Sequence, residues 1–233
     1  MDFKQSPFRS GWWGTSLDNV GLGDQRPDVG TYGLYEQGGL PPLPVSLDGE
    51  LGWLADAPRH EQHIGLEQAA EVAEALPRLL DACHGAGISL PHSFVKFMDA
   101  PDLQARVRSN TDCFLSLSEA PVPSPIGDGK LIRFLADSQG CIFWYLYIPA
   151  GSSDHAVVSS PDFYDPDGEL WEGEEAADPD ALVFNAESFE AFLCRFWIEN
   201  ELWLSEYEGT PMNEICRRYL ELYRGSPASE LGT

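Results

Sequence analysis

The chain has 233 residues, of which 38 are acidic and 14 basic, so its formal net charge at pH 7 is −24. This charge disfavours direct binding to nucleic acid or to anionic lipid, because both are polyanions. Hydrophobic residues make up 43% of the chain, enough to bury a core, which argues against global disorder.

The N-terminal part of the chain differs in composition from the rest. Residues 1–35 are rich in glycine and aromatic residues, such as Trp12 and Trp13, and follow neither a helical nor a strand period. The Pro/Gly stretch 37–44 cannot be helical and is typical of an extended connector. We therefore predict an N-terminal extension and connector over residues 1–50, a folded domain over 51–225 and a flexible tail over 226–233.

Two helices are predicted at the start of this domain. Apolar residues at helical spacing indicate a helix over residues 66–84, with a kink at Pro77 and a stop at Gly85. A second helix is expected to carry Phe94 and Phe97 on its apolar face.

After Pro101 the sequence changes to β-branched and aromatic runs bounded by glycine, proline and aspartate, which predict strands. These runs are residues 113–117, 131–135, 141–148 and 155–158, with a short hairpin turn over residues 137–140. The third run carries Phe143, Trp144, Tyr145 and Tyr147. We expect these rings to pack in the core, although any exposed face would offer anchors for an interface.

Two further helices are expected after the strands. The first buries Phe189, Phe192 and Trp197 on one face and is capped by Asn185 or Ser188, and the second begins at residues 210–211. Helices, then a meander of strands, then helices predict an α+β fold, with an antiparallel sheet of about four to six strands flanked by helices.

The cysteines and the lack of long apolar runs indicate the cellular compartment of the protein. Lys4 and Arg9 are not followed by the apolar stretch of a signal peptide, and no run of 18 apolar residues occurs. The five cysteines are odd in number and form no C-x-x-C pair, which argues against a disulfide framework or a zinc ribbon. We expect a cytoplasmic protein in which all five thiols are reduced and largely buried. The cysteines are Cys83, Cys113, Cys141, Cys194 and Cys216.

Motifs for catalysis or metal binding are absent or incomplete. In residues 162–169, carboxylates alternate with other residues as in a calcium-binding loop. However, Pro166 lies between them, and the twelfth position counted from Asp165 is not the Glu that such a loop requires. His60 and His63 lack the i, i+4 spacing of a zincin motif, and no G-x-S-x-G elbow, P-loop or dinucleotide-binding glycine pattern occurs. We expect no enzymatic activity, no cofactor and no bound metal. The alternative from another class is a small metal-dependent hydrolase that uses clustered carboxylates.

Three motifs occur in a fixed order. They are L-P-x-x-F-x-x-F at residues 90–97, F-x-x-D-x-x-G at 134–140 and A-x-x-F-x-x-F-L at 186–193. In this order they resemble the SMI1/KNR4 superfamily, also called SUKH, over residues 66–200. Residues 98–102 read M-D-A-P-D, where such domains usually carry an Asn-Gly-Gly turn.

The resemblance implies a SUKH-like fold and a protein that binds rather than catalyses. The resemblance implies a bacterial immunity protein that binds and blocks a toxin effector, often a nuclease. A eukaryotic branch acts as interaction hubs in cell-wall regulation, so a regulatory hub without a toxin partner is the alternative.

A long acidic stretch favours a basic partner. Between Arg133 and Arg195 the chain contains no Lys or Arg. Nine carboxylates lie within residues 161–180, which we call the acidic segment. Because such a segment cannot be neutralised by its own residues, its potential attracts cations. The alternative is a solvated segment that only keeps the protein soluble.

We predict that the acidic segment binds a basic protein, namely a toxin domain, because an anionic plug suits the cationic groove of a nuclease. The predicted partner-binding residues are Asp162, Tyr164, Asp165, Asp167, Glu169, Trp171, Glu172, Glu174 and Glu175.

Overall fold

Three of the four strands predicted from the sequence lie in the middle of a mostly antiparallel sheet in the computed structural model, and the one predicted over residues 113–117 lies at its edge. The structure describes residues 7–164 and 178–225. The described strands are β1 Arg9–Ser10, β2 Trp12–Gly14, β3 Gly33–Tyr35, β4 Phe114–Leu115, β5 Val122–Pro123, β6 Lys130–Ala136, β7 Phe143–Ile148, β8 Ala156–Ser160 and β9 Val183–Ala186. The helices are α1 Gly52–Ala55, α2 Ala69–Gly85, α3 His92–Met98, α4 Pro101–Gln104, α5 Phe189–Glu208 and α6 Glu214–Gly225.

Seven of these strands form one sheet, in the order β1-β9-β8-β7-β6-β4, with β5 also paired to β6. All pairs are antiparallel except β1 with β9, which run parallel. The predicted mixture of helices with an antiparallel sheet is thus confirmed. The sheet exceeds the expected four to six strands because the two-residue strands β1 and β5 add to it, and these are too short to leave a sequence pattern.

The two faces of the sheet carry two separate cores, because side chains alternate along each strand. Trp144 and Leu146 of β7 face the larger core, which also contains side chains of helices α2, α3, α5 and α6. Tyr145 and Tyr147 face the smaller core, together with Phe8 and other residues of the described chain. The aromatic strand therefore packs in the core on both faces, as expected.

The N-terminal residues share both cores with the rest of the chain. Arg9 and Ser10 pair with Val183 and Phe184 of β9, which adds β1 to the main sheet. Trp12 is 1% exposed and lies in the larger core. The sequence places a boundary near residue 50, whereas this pairing and packing join residues on either side of it into one folded unit.

Local signals explain where the helices begin and end. Ser188 is the N-cap of α5, since its Oγ accepts a hydrogen bond from the amide of Ala191 at 3.1 Å. α6 begins at Glu214 rather than at residue 210, because Asn213 Oδ1 accepts from the amide of Cys216 at 2.9 Å and so caps the helix there. The hairpin turn between β6 and β7 closes at Gly140, which has φ +69°, a conformation that glycine adopts without strain.

Helix α5 is buried on nearly every side rather than along one face. Glu199, Asn200 and Glu201 are each 7% exposed or less. The expectation of a one-sided amphipathic helix is therefore wrong, because the N-terminal residues and residues 106–110 cover the side that the sequence pattern assigns to solvent. Among the described residues, no helix combines the length and the hydrophobicity that crossing a membrane requires.

All five cysteines are unpaired, and four of them are buried. The thiols are therefore largely buried, as expected, and Cys141 is the exposed one because it lies in the turn that follows β6 rather than in β7. Burial raises the pKa of the Cys83 thiol to about 11 and that of Cys216 to about 12.

We therefore expect a thiol reagent to modify one cysteine rapidly in the native protein and all five after denaturation. A Cys141→Ser variant should lose the rapid phase and keep four thiols in denaturant, because it removes the one exposed thiol. Rapid modification of a second thiol in the native variant would contradict this assignment, and so would fewer than four thiols in denaturant.

Candidate partner-binding surface

The two ends of the acidic segment are held together by hydrogen bonds. We call residues 162–164 and 178–180 the neck. The amide of Asp178 donates to Asp162 Oδ2 at 2.9 Å, which joins one end directly to the other. The amide of Asp180 donates to Asp178 Oδ1 at 2.9 Å and shapes the second end. Both ends therefore leave the sheet at one place.

Tyr145 of β7 fixes the neck to the smaller core. Its hydroxyl donates to the carbonyl of Asp162 at 2.9 Å and accepts from the amide of Tyr164 at 3.0 Å. The rings of Tyr145 and Tyr164 also contact each other edge to face, with centroids 5.6 Å apart. Since Tyr145 is fully buried, the neck rests on a rigid part of the sheet.

Phe163 is the exposed aromatic residue of the neck, with 52% of its surface accessible. Its ring packs against Phe143 at 5.0 Å and lies under the guanidinium of Arg133 at 4.2 Å. Sequence analysis did not select Phe163 as a partner-binding residue, although it lies between two that it did select.

Of the nine predicted partner-binding residues, the structure describes Asp162 and Tyr164. Both contribute hydrogen bonds that close the neck, so they position the acidic segment. The other seven lie outside the described residues: Asp165, Asp167, Glu169, Trp171, Glu172, Glu174 and Glu175.

Six basic residues of the described chain form ion pairs with its own carboxylates. Ion pairs are formed by Arg26, Arg59, Arg78, Lys96, Arg106 and Arg108. Because acidic residues outnumber basic ones by 38 to 14, these pairs leave a large excess of carboxylates. The protein surface is therefore strongly anionic beyond the acidic segment as well.

A buried ion pair joins the N-terminal residues to α5. Arg26 is 0% exposed, and its guanidinium donates to both oxygens of Glu199, at 2.8 and 2.9 Å. Glu199 also accepts from Trp12 Nε1 at 2.8 Å and from the Tyr219 hydroxyl at 3.0 Å. Burial favours a raised pKa for Glu199, but Arg26, Arg195 and these hydrogen bonds together lower it. The pair is a structural element that sequence analysis missed.

A partly buried network of hydrogen bonds joins Tyr32 to Asp137 in the turn after β6. The Tyr32 hydroxyl donates to Asp137 Oδ1 at 2.7 Å and lies 2.8 Å from Thr111 Oγ1 and 3.3 Å from Cys113 Sγ. Burial raises the pKa of Cys113, so this thiol is not activated as a nucleophile. The network holds Tyr32 against the sheet and carries no signature of catalysis.

His155 caps the first turn of α5. Its Nε2 accepts a hydrogen bond from the amide of Phe189 at 3.1 Å, which requires a neutral imidazole with the proton on Nδ1. Burial lowers the pKa of His155 below 6.5, and the nearby Asp154 opposes that effect only in part.

Stability is therefore expected to fall on acidification, because the unfolded state binds the proton more readily than the folded state. The contribution of His155 is complete above pH 6.5 and is lost as the pH falls through its lower folded-state pKa. A His155→Gln variant keeps an acceptor that does not titrate, so its urea midpoint should change less between pH 7.5 and 5. A His84→Gln variant, at an exposed position of α2, is the control. Identical pH profiles for His155→Gln and the wild type would contradict the capping role.

An open cleft of about 580 Å³ lies beside the C-terminal half of α5, between residues 60–68 and residues 108–114. His60 and His63 both line it, and burial lowers the pKa of each. Within residues 7–164 and 178–225, no three His, Cys, Asp or Glu side chains are grouped in a way that would hold a metal ion. The two histidines are therefore not part of a metal centre in the described chain.

The chain matches no family model, no curated protein and no solved structure. Membership of the SMI1/KNR4 superfamily stays a prediction from the three motifs. The described residues form an α+β domain in which a hydrogen bond from Asp178 to Asp162 joins the two ends of the acidic segment.

Proposed function

We propose that this chain is a non-catalytic binding protein of the SUKH type, an immunity protein that neutralises a basic toxin domain through its acidic segment. The observation that supports this most is the neck, where Asp178 and Tyr145 hold both ends of the acidic segment at one place on the sheet. A segment that only kept the protein soluble would need no such attachment.

An anchored anionic segment is suited to capture a cationic surface. Exposed charges attract a partner over about a Debye length, roughly 8 Å at physiological salt. A fixed attachment point also reduces the entropy that the segment loses when it binds. Acidic residues outnumber basic ones by 38 to 14, so the net charge that a partner meets is strongly negative.

Support for a non-catalytic role comes from the polar groups inside the fold. Buried groups such as Glu199, Asp137 and Cys113 are engaged by side chains of the chain itself. In the described residues, no His, Cys or carboxylate group combines the geometry and the activated pKa that a hydrolase would need.

The test uses the purified product of the gene directly beside this one, since an immunity gene is expected to lie beside its toxin gene. Biolayer interferometry with the immobilised full chain should detect specific binding that weakens as salt is added. A chain with Glu67→Gln, Glu71→Gln and Asp81→Asn, three exposed positions outside the acidic segment, is the charge-matched control and should bind nearly as well. Absence of binding at every ionic strength would refute the immunity function and favour a regulatory hub.

A further inference from the structure

We propose that a cavity between residues 37–47 and the start of α5 is a binding site for a free α-amino acid with an aliphatic side chain. The cavity has a volume of about 340 Å³, within the range that small ligands occupy. Its lining comes from residues 37–47, the end of β9 and the first two turns of α5, and it shares no residue with the neck or the cleft. The inference does not depend on the proposed function, because no basic partner takes part in it.

Most of the cavity wall is apolar. Five side chains of residues 37–47 form one side: Leu40, Pro42, Leu43, Val45 and Leu47. The three leucines and Val45 are partly buried and pack against the larger core, so this side is held in place. Ala186 at the end of β9 and Ala191 in the first turn of α5 lie on the other side. Because an alanine fills little space, the cavity has room for an aliphatic side chain, which would be removed from water there.

Arg195 brings a positive charge to the cavity. Its Nη2 donates to the carbonyl of Pro41 at 3.1 Å, and both chain neighbours of Pro41 line the cavity. Its Nη1 donates to the Tyr219 hydroxyl at 2.6 Å, which in turn donates to Glu199 at 3.0 Å. Glu199 already pairs with Arg26, so this network joins two guanidinium groups to a single carboxylate.

The extra charge of this network has no counter-ion in the described chain. Within residues 7–164 and 178–225, no carboxylate oxygen lies within 4.0 Å of the Arg195 guanidinium. Its hydrogen bonds go to a hydroxyl and a backbone carbonyl, which are both neutral. Since arginine stays charged and binds a carboxylate through two parallel hydrogen bonds, a ligand carboxylate is the group that would balance it.

The cavity also has acceptors that suit an ammonium group. Glu187 lines it, is exposed and forms no ion pair with any residue that the structure describes. Asn185 lines it as well and is 2% exposed, and its Oδ1 has no hydrogen-bond donor among the described residues. Gln37 does not serve either acceptor, because its Nε2 donates to the backbone carbonyls of Phe184 and Asn185. A donor on the ligand would therefore meet acceptors without displacing an internal partner.

These groups favour a zwitterion with an aliphatic side chain over related ligands. A ligand with a carboxylate alone would face Glu187 without a compensating cation, and an amine alone would face Arg195 without a compensating anion. A charged side chain on the ligand would lie among the leucines, where an unpaired charge is costly. Leucine satisfies all three parts of the wall and is the probe of choice.

The test is isothermal titration calorimetry of the full chain with L-leucine. Saturable binding is expected. Isocaproate lacks only the ammonium group of leucine, and isoamylamine lacks only the carboxylate. Each should bind at least about tenfold more weakly, because each loses a hydrogen bond between charged groups. L-Aspartate, a zwitterion with a charged side chain, should not bind.

Two variants locate the binding in this cavity. Glu187→Gln, at an exposed position, should weaken leucine binding about tenfold and should not weaken isocaproate binding. Val45→Phe should abolish leucine binding by filling the cavity. Glu71→Gln, at an exposed position of α2, is the charge-matched control and should bind leucine like the wild type.

The proposal is overturned if leucine gives no saturable heat, or if isocaproate or isoamylamine binds as tightly as leucine. Leucine affinity that Glu187→Gln or Val45→Phe leaves unchanged would overturn it too. These results are independent of the adjacent gene product, so the proposed function and this inference can fail separately.

Discussion

A Glu199→Ala variant is expected to lose about 3–5 kcal/mol of unfolding free energy, since breaking a buried ion pair leaves one charge uncompensated. Here the remaining charge is the guanidinium of Arg26, which is 0% exposed. Trp12 Nε1 and the Tyr219 hydroxyl would lose the same acceptor. Urea unfolding measures the loss, and the melting temperature should fall by roughly 6–20 °C for a domain of this size.

The control is Arg78→Ala, which breaks an exposed pair with Glu119 of similar length, 2.8 Å. Its cost should stay below about 1 kcal/mol, because exposed ion pairs contribute little.

The stability of the wild-type protein should also depend on pH through the carboxylate of Glu199. Its lowered pKa contributes stability above its ordinary value of 4.5, and that contribution is lost as the pH falls. A loss below about 1 kcal/mol for Glu199→Ala would contradict the structural role of the pair.

Replacing Glu172, Glu174 and Glu175 with Gln is expected to slow association with the basic partner by about tenfold at low salt, within the range that electrostatic steering provides. The association rate constant of the variant should also depend less on salt. Its dissociation rate constant should change little, because exposed charges act mainly on encounter. Stopped-flow fluorescence at several salt concentrations measures both constants.

Trp171→Ala should behave in the opposite way if Trp171 anchors the partner. Loss of an aromatic hot spot costs about 2 kcal/mol or more, which corresponds to about thirtyfold faster dissociation. The Glu67→Gln, Glu71→Gln, Asp81→Asn chain is again the charge-matched control. Association kinetics of the triple Gln variant that match the wild type at low and high salt would mean that the acidic segment is only solvated.

The elements that the sequence predicted are those with a long, uniform pattern. The strand pairs formed by β6, β7 and β8 consist of β-branched and aromatic runs, and α2 and α5 have apolar residues at helical spacing. Strand β9 was missed because its four residues, Val183–Ala186, run almost directly into the cap of α5 at Ser188. A strand that short is indistinguishable from a capping segment.

The role of the N-terminal residues could not be predicted, because it depends on partners far away in the chain. Arg26 lies in a Gly-rich stretch that has no period, and its partner Glu199 is 173 residues further on. On a helix, Glu199 is the kind of residue that a sequence pattern assigns to solvent. Two charged residues that neutralise each other inside the fold have no local signature. The boundary near residue 50 followed from composition, which does not report such contacts.

The negative charge of the candidate site could be predicted from the sequence, but the way in which the neck is held on the sheet could not. The run of carboxylates is visible in the sequence, whereas the neck arises because Tyr145 lies under Asp162 and Tyr164. The cleft beside α5 could not be predicted from the sequence, because its lining comes from three separate parts of the chain: residues 60–68, residues 108–114 and the end of α5.

The most direct measurement of the central claim is a growth assay in cells that express the adjacent gene product with or without this chain. Full growth in the presence of the wild-type chain, and slower growth with the triple Gln variant at equal protein levels, is the result that the immunity function predicts. Growth arrest that the wild-type chain does not relieve, although the two proteins are both present and folded, would contradict it.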